Sequence, residues 1–546
     1  MSTINPSNPA PGVYGYVKDL SERPANVATS VAAFVGATPK GPVGERTLIT
    51  DFANYKATFG FGGTEYGYMA YSVEPFLNQS SRCYVTRVVN GALTAGSYFT
   101  TDDTNAQDPQ LALSVWKNPT TNNPEGANDP LNSLGFTPTT PGVGNILGYF
   151  CAANPGDWNN GIVIEIRPSN PPGVALRGNG HDPLKFYVDV YLSKAGAQVQ
   201  PDESFLVTRH QETDEEGTQL FIEDVINKKS NIVRVRNNEF CPEIPIVNTA
   251  SCILDGGDDG LPPTENQIID AWDLYSDPEE IEVDILVNGG YTHYTIHHAL
   301  NSIAEGRGDA IAILDMPSDM QEVADAVNYK RNILNLSSYY SALYSADIKV
   351  YDYENDLEVY VPPSGYVAAA FAKADSTRAL WFAPAGIDLG TLDVLGVRVQ
   401  YDQGARDSLD MAQINPIRKM RDGSYVIWGQ QTTQTTATSF QYVNVVRLVN
   451  YVLKRAKAST LSSVFNPNDS VLRDRVKATA DSILEPIRRG RGVYEYQNVC
   501  DDRNNTNDTI ANGDLVLDMV FDPVIAAKRI HVVFNINPTG SRATEA

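Results

Sequence analysis

Between Ile281 and Ala374, short apolar runs alternate with stretches of helical periodicity, and this alternation constrains the fold more than any other feature of the chain. The spacing predicts strands at Ile281–Val287, Asp309–Asp315 and Ala346–Tyr351. Between and after them it predicts helices at His297–Glu305 (ending near Gly306), Met320–Leu334 and Gly365–Ala374. Ala310-Ile-Ala-Ile-Leu is almost wholly apolar, as a central parallel strand covered on both faces should be. Strands alternating with helices argue for βαβ units, so the expected class is α/β, or α+β overall once the flanking segments are counted.

Those flanks divide the 546 residues further, and at roughly 150 residues per domain about three or four domains are allowed. Val31-Ala-Ala-Phe-Val-Gly reads as a buried strand, Thr50–Gly60 as a short capped helix, Tyr68–Asn78 as a second helix and Cys83–Val89 as a strand. Residues 100–145 are rich in Thr, Asn, Pro, Asp and Gly and read as long loops or a surface module, followed by strands at Gly161–Arg167, Lys185–Leu192, Phe205–Thr208 and Asn231–Arg236. Near the end, Tyr442, Val445, Val446, Val449, Val452, Leu453 and Ala456 share one helix face. Leu472, Val476, Ile483, Leu484 and Ile487 share the face of a second helix, capped around Asp469 and expected to kink or end at Pro486. The expected organisation is an N-terminal arm (1–24), a first core segment (25–95), a mainly β inserted outer domain (96–245), an α/β domain (246–395), a C-terminal domain (396–525) and a C-terminal arm (526–546).

The two arms each carry one strand pattern. Val13, Tyr14, Gly15, Tyr16 and Val17 lie between prolines 11 and 24, and Ile530, His531, Val532, Val533, Phe534, Asn535 and Ile536 alternate just before Pro538. An uncovered strand edge invites aggregation. The two strands can pair with each other, or each can add to the sheet of a neighbouring copy. The second arrangement gives a directional contact that builds rings or helical arrays.

Charge narrows the choice of partners. The chain carries −24, with 42 Lys+Arg against 66 Asp+Glu, which argues against general binding to nucleic acid or an anionic membrane. Residues 398–491 reverse the sign, with 15 basic side chains against 8 acidic ones. Arg447, Lys454, Arg455, Lys457, Arg473, Arg475, Lys477, Arg488 and Arg489 are the candidates for a contact with an acidic partner surface; ordinary solvated helix faces are the other reading. The longest apolar runs are far too short to span a bilayer, and the first residues have neither the basic start nor the apolar core of a secretion signal. Five scattered cysteines form no disulfide or zinc framework and read as reduced thiols.

No catalytic, metal or cofactor-binding residue is expected. His293-Tyr-Thr-Ile-His297-His298 lacks the glutamate of a zincin motif. Asp255-Gly-Gly-Asp-Asp-Gly260 has Asn266 where a calcium loop needs its twelfth-position carboxylate. No nucleophile elbow, Walker sequence or credible Ser/His/Asp grouping occurs.

A series of short motifs, in order, resembles the contractile-tail sheath proteins of myovirus-type bacteriophages. They are Pro11-Gly-Val-Tyr, Val31-Ala-Ala-Phe-Val-Gly-Ala-Thr-Pro-Lys-Gly-Pro-Val, Leu48-Ile-Thr-Asp-Phe-Ala-Asn-Tyr and Cys83-Tyr-Val-Thr-Arg-Val in the first part. Ala310-Ile-Ala-Ile-Leu-Asp-Met-Pro, Ala383-Pro-Ala-Gly, Tyr442-Val-Asn-Val-Val-Arg-Leu, Phe465-Asn-Pro-Asn-Asp and Gly513-Asp-Leu follow. The resemblance implies a core of N- and C-terminal segments with subtilisin-like α/β topology, without subtilisin's chemistry. It implies an outward-projecting insertion at 96–245 and terminal arms that exchange strands between subunits. It also implies six-fold rings stacked around an inner tail tube, with the basic C-terminal helices facing that tube and with baseplate and tail terminator proteins as further partners. The work would be contraction that drives the tube through a host envelope for genome delivery. The particle would assemble in the host cytoplasm and remain in the virion tail. A phage-derived tailocin or injection particle is the near alternative; a subtilisin-like hydrolase or a self-assembling surface-layer protein is a remote one.

Overall fold

The computed structural model describes residues 30–102, 110–116, 146–169, 184–193, 200–213, 216–238 and 249–529. Among these, the strands are β1 (Ala32–Gly36), β2 (Thr47–Ile49), β3 (Cys83–Arg87), β4 (Gly96–Asp102), β5 (Gln110–Trp116), β6 (Ile146–Ala152), β7 (Val163–Pro168), β8 (Phe186–Tyr191), β9 (Glu203–Val207), β10 (Val233–Asn237) and β11 (Ala250–Ile253). They continue with β12 (Ile285–Val287), β13 (Ile311–Asp315), β14 (Ser341–Ser345), β15 (Ile348–Asp352), β16 (Leu357–Val361), β17 (Thr391–Leu392), β18 (Gly396–Val397), β19 (Ile414–Lys419), β20 (Tyr425–Ile427), β21 (Val493–Val499) and β22 (Asp518–Pro523).

The body is a nine-stranded sheet in the order β17-β20-β19-β14-β13-β12-β1-β3-β2. Its six central strands, β19 to β3 in that order, are parallel, and antiparallel strands close both edges. Strand β1 joins segments far apart in sequence: Ala32 pairs with Cys83 on one side and with Ile285 on the other. Alternate residues serve opposite faces, as the two-residue period of a strand requires. Ala32, Phe34, Ile285, Val287, Ile311 and Ile313 share a core with the helices Met69–Leu77 and Ser364–Thr377. Ala33, Val35, Leu286, Ala312 and Leu314 share the opposite core with Glu265–Asp273 and Tyr294–Arg307.

Strands β4 to β11 form two four-stranded antiparallel sheets, β10-β6-β4-β5 and β11-β7-β8-β9, around a separate core that includes Phe99, Phe150, Ile164 and Val188. The buried Arg87 ties this part to the body. Its guanidinium donates to the carbonyls of Thr38 (2.9 Å), Gly41 (2.9 Å) and Pro39 (3.2 Å), and to that of Pro155 (2.8 Å), which follows β6. Asp259 lies at the same joint, accepting from the Asp157 amide at 2.8 Å and the Tyr66 hydroxyl at 2.5 Å.

Several elements differ from the sequence expectation. β4 lies partly and β5 wholly in the stretch read as loops or a surface module: the Thr-bearing β4 carries little local signal, whereas the alternating Leu111, Leu113 and Val115 of β5 were hidden by the polar composition around them. β11 pairs with β7, so the outer sheets continue past residue 245 to Ile253. The helix Ile222–Lys229 was not anticipated. The strand expected at Ala346–Tyr351 forms as β15 in a small sheet, β16-β15-β18, and β14 takes the place beside β13 in the body. The helix expected at Met320–Leu334 becomes an α-helix over Val323–Asn328 followed by a π-helical turn over Tyr329–Leu334. That turn brings the buried Lys330 ammonium to the carbonyls of Leu336 (2.5 Å) and Thr433 (3.2 Å).

Candidate assembly interface

Two C-terminal helices, Val443–Thr460 and Ser470–Arg489, form a hairpin. The second starts where the Asp469 carboxylate accepts the Leu472 amide at 2.8 Å, and it runs through Pro486 to Arg489 instead of ending there. A proline in the last turn removes only one helical hydrogen bond. Leu448 and Val452 of the first helix pack on Ile483, Leu484 and Ile487 of the second, with Leu380 and Trp381 closing the cluster.

A ribbon of two antiparallel strands, β21 and β22, lies on this hairpin. Tyr496, Met519 and Phe521 turn inward to the same apolar cluster. The Asn498 amide donates to Asp481 at 2.9 Å, and the Tyr496 hydroxyl donates to Glu485 at 3.2 Å. Tyr494 and Val520 are exposed. Among the described residues no third strand pairs with either edge. The chain leaves the ribbon directly toward its C-terminus: the Val524 amide bonds Gly492 at 3.0 Å, and Lys528 reaches Asp410 at 2.7 Å.

The N-terminal exit lies against the same hairpin. The Ser30 hydroxyl donates to Asp375 at 2.7 Å, and the Val31 amide donates to Asp284 at 3.1 Å. Both carboxylates are also bound by the first helix of the hairpin. Arg447 pairs with Asp375 at 2.6 Å, and Lys454 pairs with Asp284 at 2.7 Å and with Glu282 at 3.0 Å. Burial pushes the carboxyls of Asp375 and Asp284 above their ordinary value, and Arg447 and Lys454 pull them back.

The nine candidate cations therefore do not form one free surface. Arg447 is a correction to the sequence reading: its side chain is buried between Asp375 and the Phe371 ring, 4.7 Å away, and is not available to a partner. Lys454 is largely enclosed by Asp284 and Glu282. Arg473 is buried and pairs with the exposed Asp502 at 3.0 Å. Arg455 donates to the Tyr451 hydroxyl at 2.5 Å, and Arg488 and Arg489 both pair with Glu485. Lys457 and Arg475 are exposed, and Lys477 is half-buried.

The expected arm residues Val13, Tyr14, Gly15, Tyr16, Val17, Ile530, His531, Val532, Val533, Phe534, Asn535 and Ile536 lie outside the described residues. The sequence reading missed the acidic partners Asp284, Asp375 and Asp410, which carry no local signal. It also missed the ribbon, although Val493-Tyr-Glu-Tyr-Gln-Asn-Val has enough β-formers to have been noticed.

The histidine cluster is dispersed. His293 meets Glu265 at 2.8 Å, and His298 bonds the Leu334 carbonyl at 2.9 Å. His297 is buried beside the Tyr329 hydroxyl, 3.1 Å away, and desolvation pushes its pKa down to about 3. Among the described residues no three His, Cys, Asp or Glu side chains converge on one point, and no helix is long and apolar enough to cross a membrane.

Two family profiles match the chain, together over half of it. The one described as phage tail sheath protein central domain covers residues 263–433, and the one described as phage tail sheath C-terminal domain covers 435–537. The tail sheath protein of Enterobacteria phage T4 is 27% identical over 51% of this chain and 45% of its own length. That of Vibrio phage KVP40 is 26% identical over 48% and 42%. The match thus spans less than half the length of these relatives. Among solved structures, the sheath tail protein of Listeria innocua superposes with a TM-score of 0.56 at 11% identity, over 92% of this chain and 96% of that one. The contracted helical sheath of the anti-feeding prophage gives 0.52 at 15% identity, over 96% and 98%. These likenesses establish a shared mixed α/β fold.

Proposed function

Because the chain belongs to the phage tail sheath family, we propose that it is the structural subunit of a contractile tail sheath, polymerising as stacked six-fold rings around an inner tail tube. The β21–β22 ribbon carries this reading. A two-stranded sheet fixed by one face and, among the described residues, unpaired at both outer edges is an acceptor for added strands. The described chain meets the hairpin that supports the ribbon both at Ser30–Val31 and at Val524. In the proposed lattice, the strands in segments 1–24 and 526–546 pair with the ribbons of neighbouring subunits. Such ladders are backbone hydrogen bonds and survive when the bodies rotate.

The remaining assignments follow the same reading. The nine-stranded sheet, with subtilisin-like topology, is a rigid body that carries no chemistry. The outer sheets project away from the tube. The C-terminal hairpin faces the tube through Lys457, Arg475 and Lys477; exposed ion pairs of about 0–1 kcal/mol each suit a surface that must let go. Contraction exchanges one packing of the bodies for a better one, so the work comes from conformational energy stored at assembly and no nucleotide is consumed. Baseplate and tail terminator proteins cap the two ends of the polymer.

The test is truncation. Chains lacking residues 1–20 or 529–546 are expected to remain folded monomers that form no long tubes in negative-stain micrographs under conditions where the full chain does. Normal tubes from either truncated chain would refute the strand-exchange reading.

A further inference from the structure

One ion pair between the hairpin and the body is set apart by its chemistry. Lys454, on the helix Val443–Thr460, reaches Asp284, the residue before β12, across 170 positions of sequence. The two side chains are 13% and 16% exposed, whereas lysine–carboxylate pairs such as Lys56–Glu354 and Lys349–Glu358 stand open to solvent. Arg307–Asp309 and Arg447–Asp375 are enclosed as deeply, but each uses a guanidinium, which stays protonated and does not attack a carboxyl. An enclosed lysine amine against an enclosed carboxyl can become a nucleophile.

The two oxygens of Asp284 have separate partners. Oδ1 lies 2.7 Å from the Lys454 nitrogen, and Oδ2 accepts the Val31 amide at 3.1 Å. The Asp284 backbone is fixed too, its amide donating to the Val31 carbonyl at 2.8 Å. Glu282 Oε1 lies 3.0 Å from the same lysine nitrogen, and Arg82 holds Glu282 Oε2 at 3.3 Å. The site therefore unites an amine, a carboxyl carbon, a backbone donor on the oxygen where charge develops, and a second carboxylate within reach of the proton to be moved. Burial pushes the Asp284 carboxyl above its ordinary value, against the pull of Lys454 and the Val31 amide, and so favours the neutral acid from which condensation starts. A cavity of about 20 Å³, lined by Asp284, Asn450 and Tyr451 among others, borders the pair and has room for one water.

We propose that Lys454 and Asp284 condense into an Nε-(β-aspartyl)lysine isopeptide bond, with Glu282 as the proton carrier. One ammonium proton passes to Oδ1, leaving a neutral amine beside a protonated carboxyl. The amine lone pair forms the N–Cγ bond while the Val31 amide supports the charge on Oδ2. Glu282 takes a second proton from the nitrogen and delivers it to Oδ1. The Cγ–Oδ1 bond then breaks, its electron pair goes with Oδ1, and Oδ1 leaves as water. Oδ2 remains as the amide oxygen, the nitrogen keeps one hydrogen, and no oxidant or cofactor is consumed. Reacting groups held in place in this way are the arrangement that gives intramolecular reactions effective molarities of about 10⁵–10⁸ M. The event occurs once per chain without turnover, and it welds the hairpin to the body sheet whether or not copies assemble.

The test is mass spectrometry of the full-length chain after incubation in native buffer. The intact mass is expected to fall below that of the sequence by about 18 Da, one water. A tryptic digest is expected to contain one branched peptide joining the segments of Asp284 and Lys454, with no cleavage after Lys454. Lys454→Arg, which keeps the charge and removes the amine, is expected to show the full mass. Glu282→Gln is expected to form the bond at least about a hundredfold more slowly. Succinimides at Asp255-Gly256, Asp259-Gly260 or Asp422-Gly423 also lose one water, and the digest separates them from the branched peptide. A native chain of full mass, a loss confined to an Asp-Gly step, a loss that persists in Lys454→Arg, or an undiminished rate in Glu282→Gln overturns the proposal; each leaves the sheath reading standing.

Discussion

Replacing Arg447 by Met tests whether the N-terminal exit is held by the buried pair beneath it. The Arg447 and Asp375 side chains are 6% and 4% exposed, so solvent screening offers little relief. Breaking a buried pair by removing one partner costs about 3–5 kcal/mol. The pair bonds through Nη2 and Oδ2, while Nη1 and Oδ1 have no hydrogen-bond partner among the described residues, which places the cost near the low end, about 3 kcal/mol. Methionine keeps the contact along the aliphatic stem but loses the cation over the Phe371 ring, about another 0.5–1 kcal/mol. Backbone amides of the helix Val443–Thr460 that exchange through local opening should then exchange about 10²–10³ times faster.

The effect has a defined pH dependence. Burial raises the folded-state pKa of Asp375, despite the opposing pull of Arg447 and the Ser30 hydroxyl. A raised carboxyl favours the fold when protonated: its contribution is fully present below the unfolded pKa and is lost as pH rises through the folded one. Removing Arg447 raises the folded value further, so the variant's deficit should be largest near about pH 8 and shrink toward about pH 5. The double variant Arg447→Met, Asp375→Leu should recover most of the protection at neutral pH, because no charge is left buried. Mass-spectrometric hydrogen exchange across this pH range is the assay. A change below tenfold at neutral pH, or a double variant no better than the single, would refute the reasoning.

Two further outcomes are expected. Arg87→Ala strands four buried or half-buried carbonyls at the joint with the outer sheets and should destabilise the protein by about 3–5 kcal/mol, with Arg87→Lys recovering only part because one ammonium cannot reach all four; thermal melting with proteolysis at the joint reads both. Reversing Lys457 and Lys477 to Glu should weaken assembly on purified tubes by about three- to thirtyfold at low salt, and an unchanged salt titration would remove the hairpin from the tube contact.

What the sequence determined by itself is local. The all-apolar run at Ala310–Leu314, the Asp51 cap with Gly60 closing its helix, and the stripe Leu472–Ile487 each fall within a window of a few turns or one strand. Each formed as the period demanded, because side-chain direction repeats every 2.0 or 3.6 residues whatever lies beyond. The order of motifs along the chain likewise pointed to the family. The fate of the charges was not local. Arg447 sits on a helix that looks amphipathic, yet the helix is covered on two sides, and the carboxylate that neutralises it is 72 residues away. Lys454 finds Asp284 at a separation of 170. The same holds for β1, which lies between β3 and β12, and for a ribbon whose two strands are separated by a loop and a short helix. Which surface is buried depends on which distant segments meet. Local periodicity thus sets the pieces and their kin, and tertiary packing decides which cations are enclosed and where Ser30 and Val524 meet the hairpin.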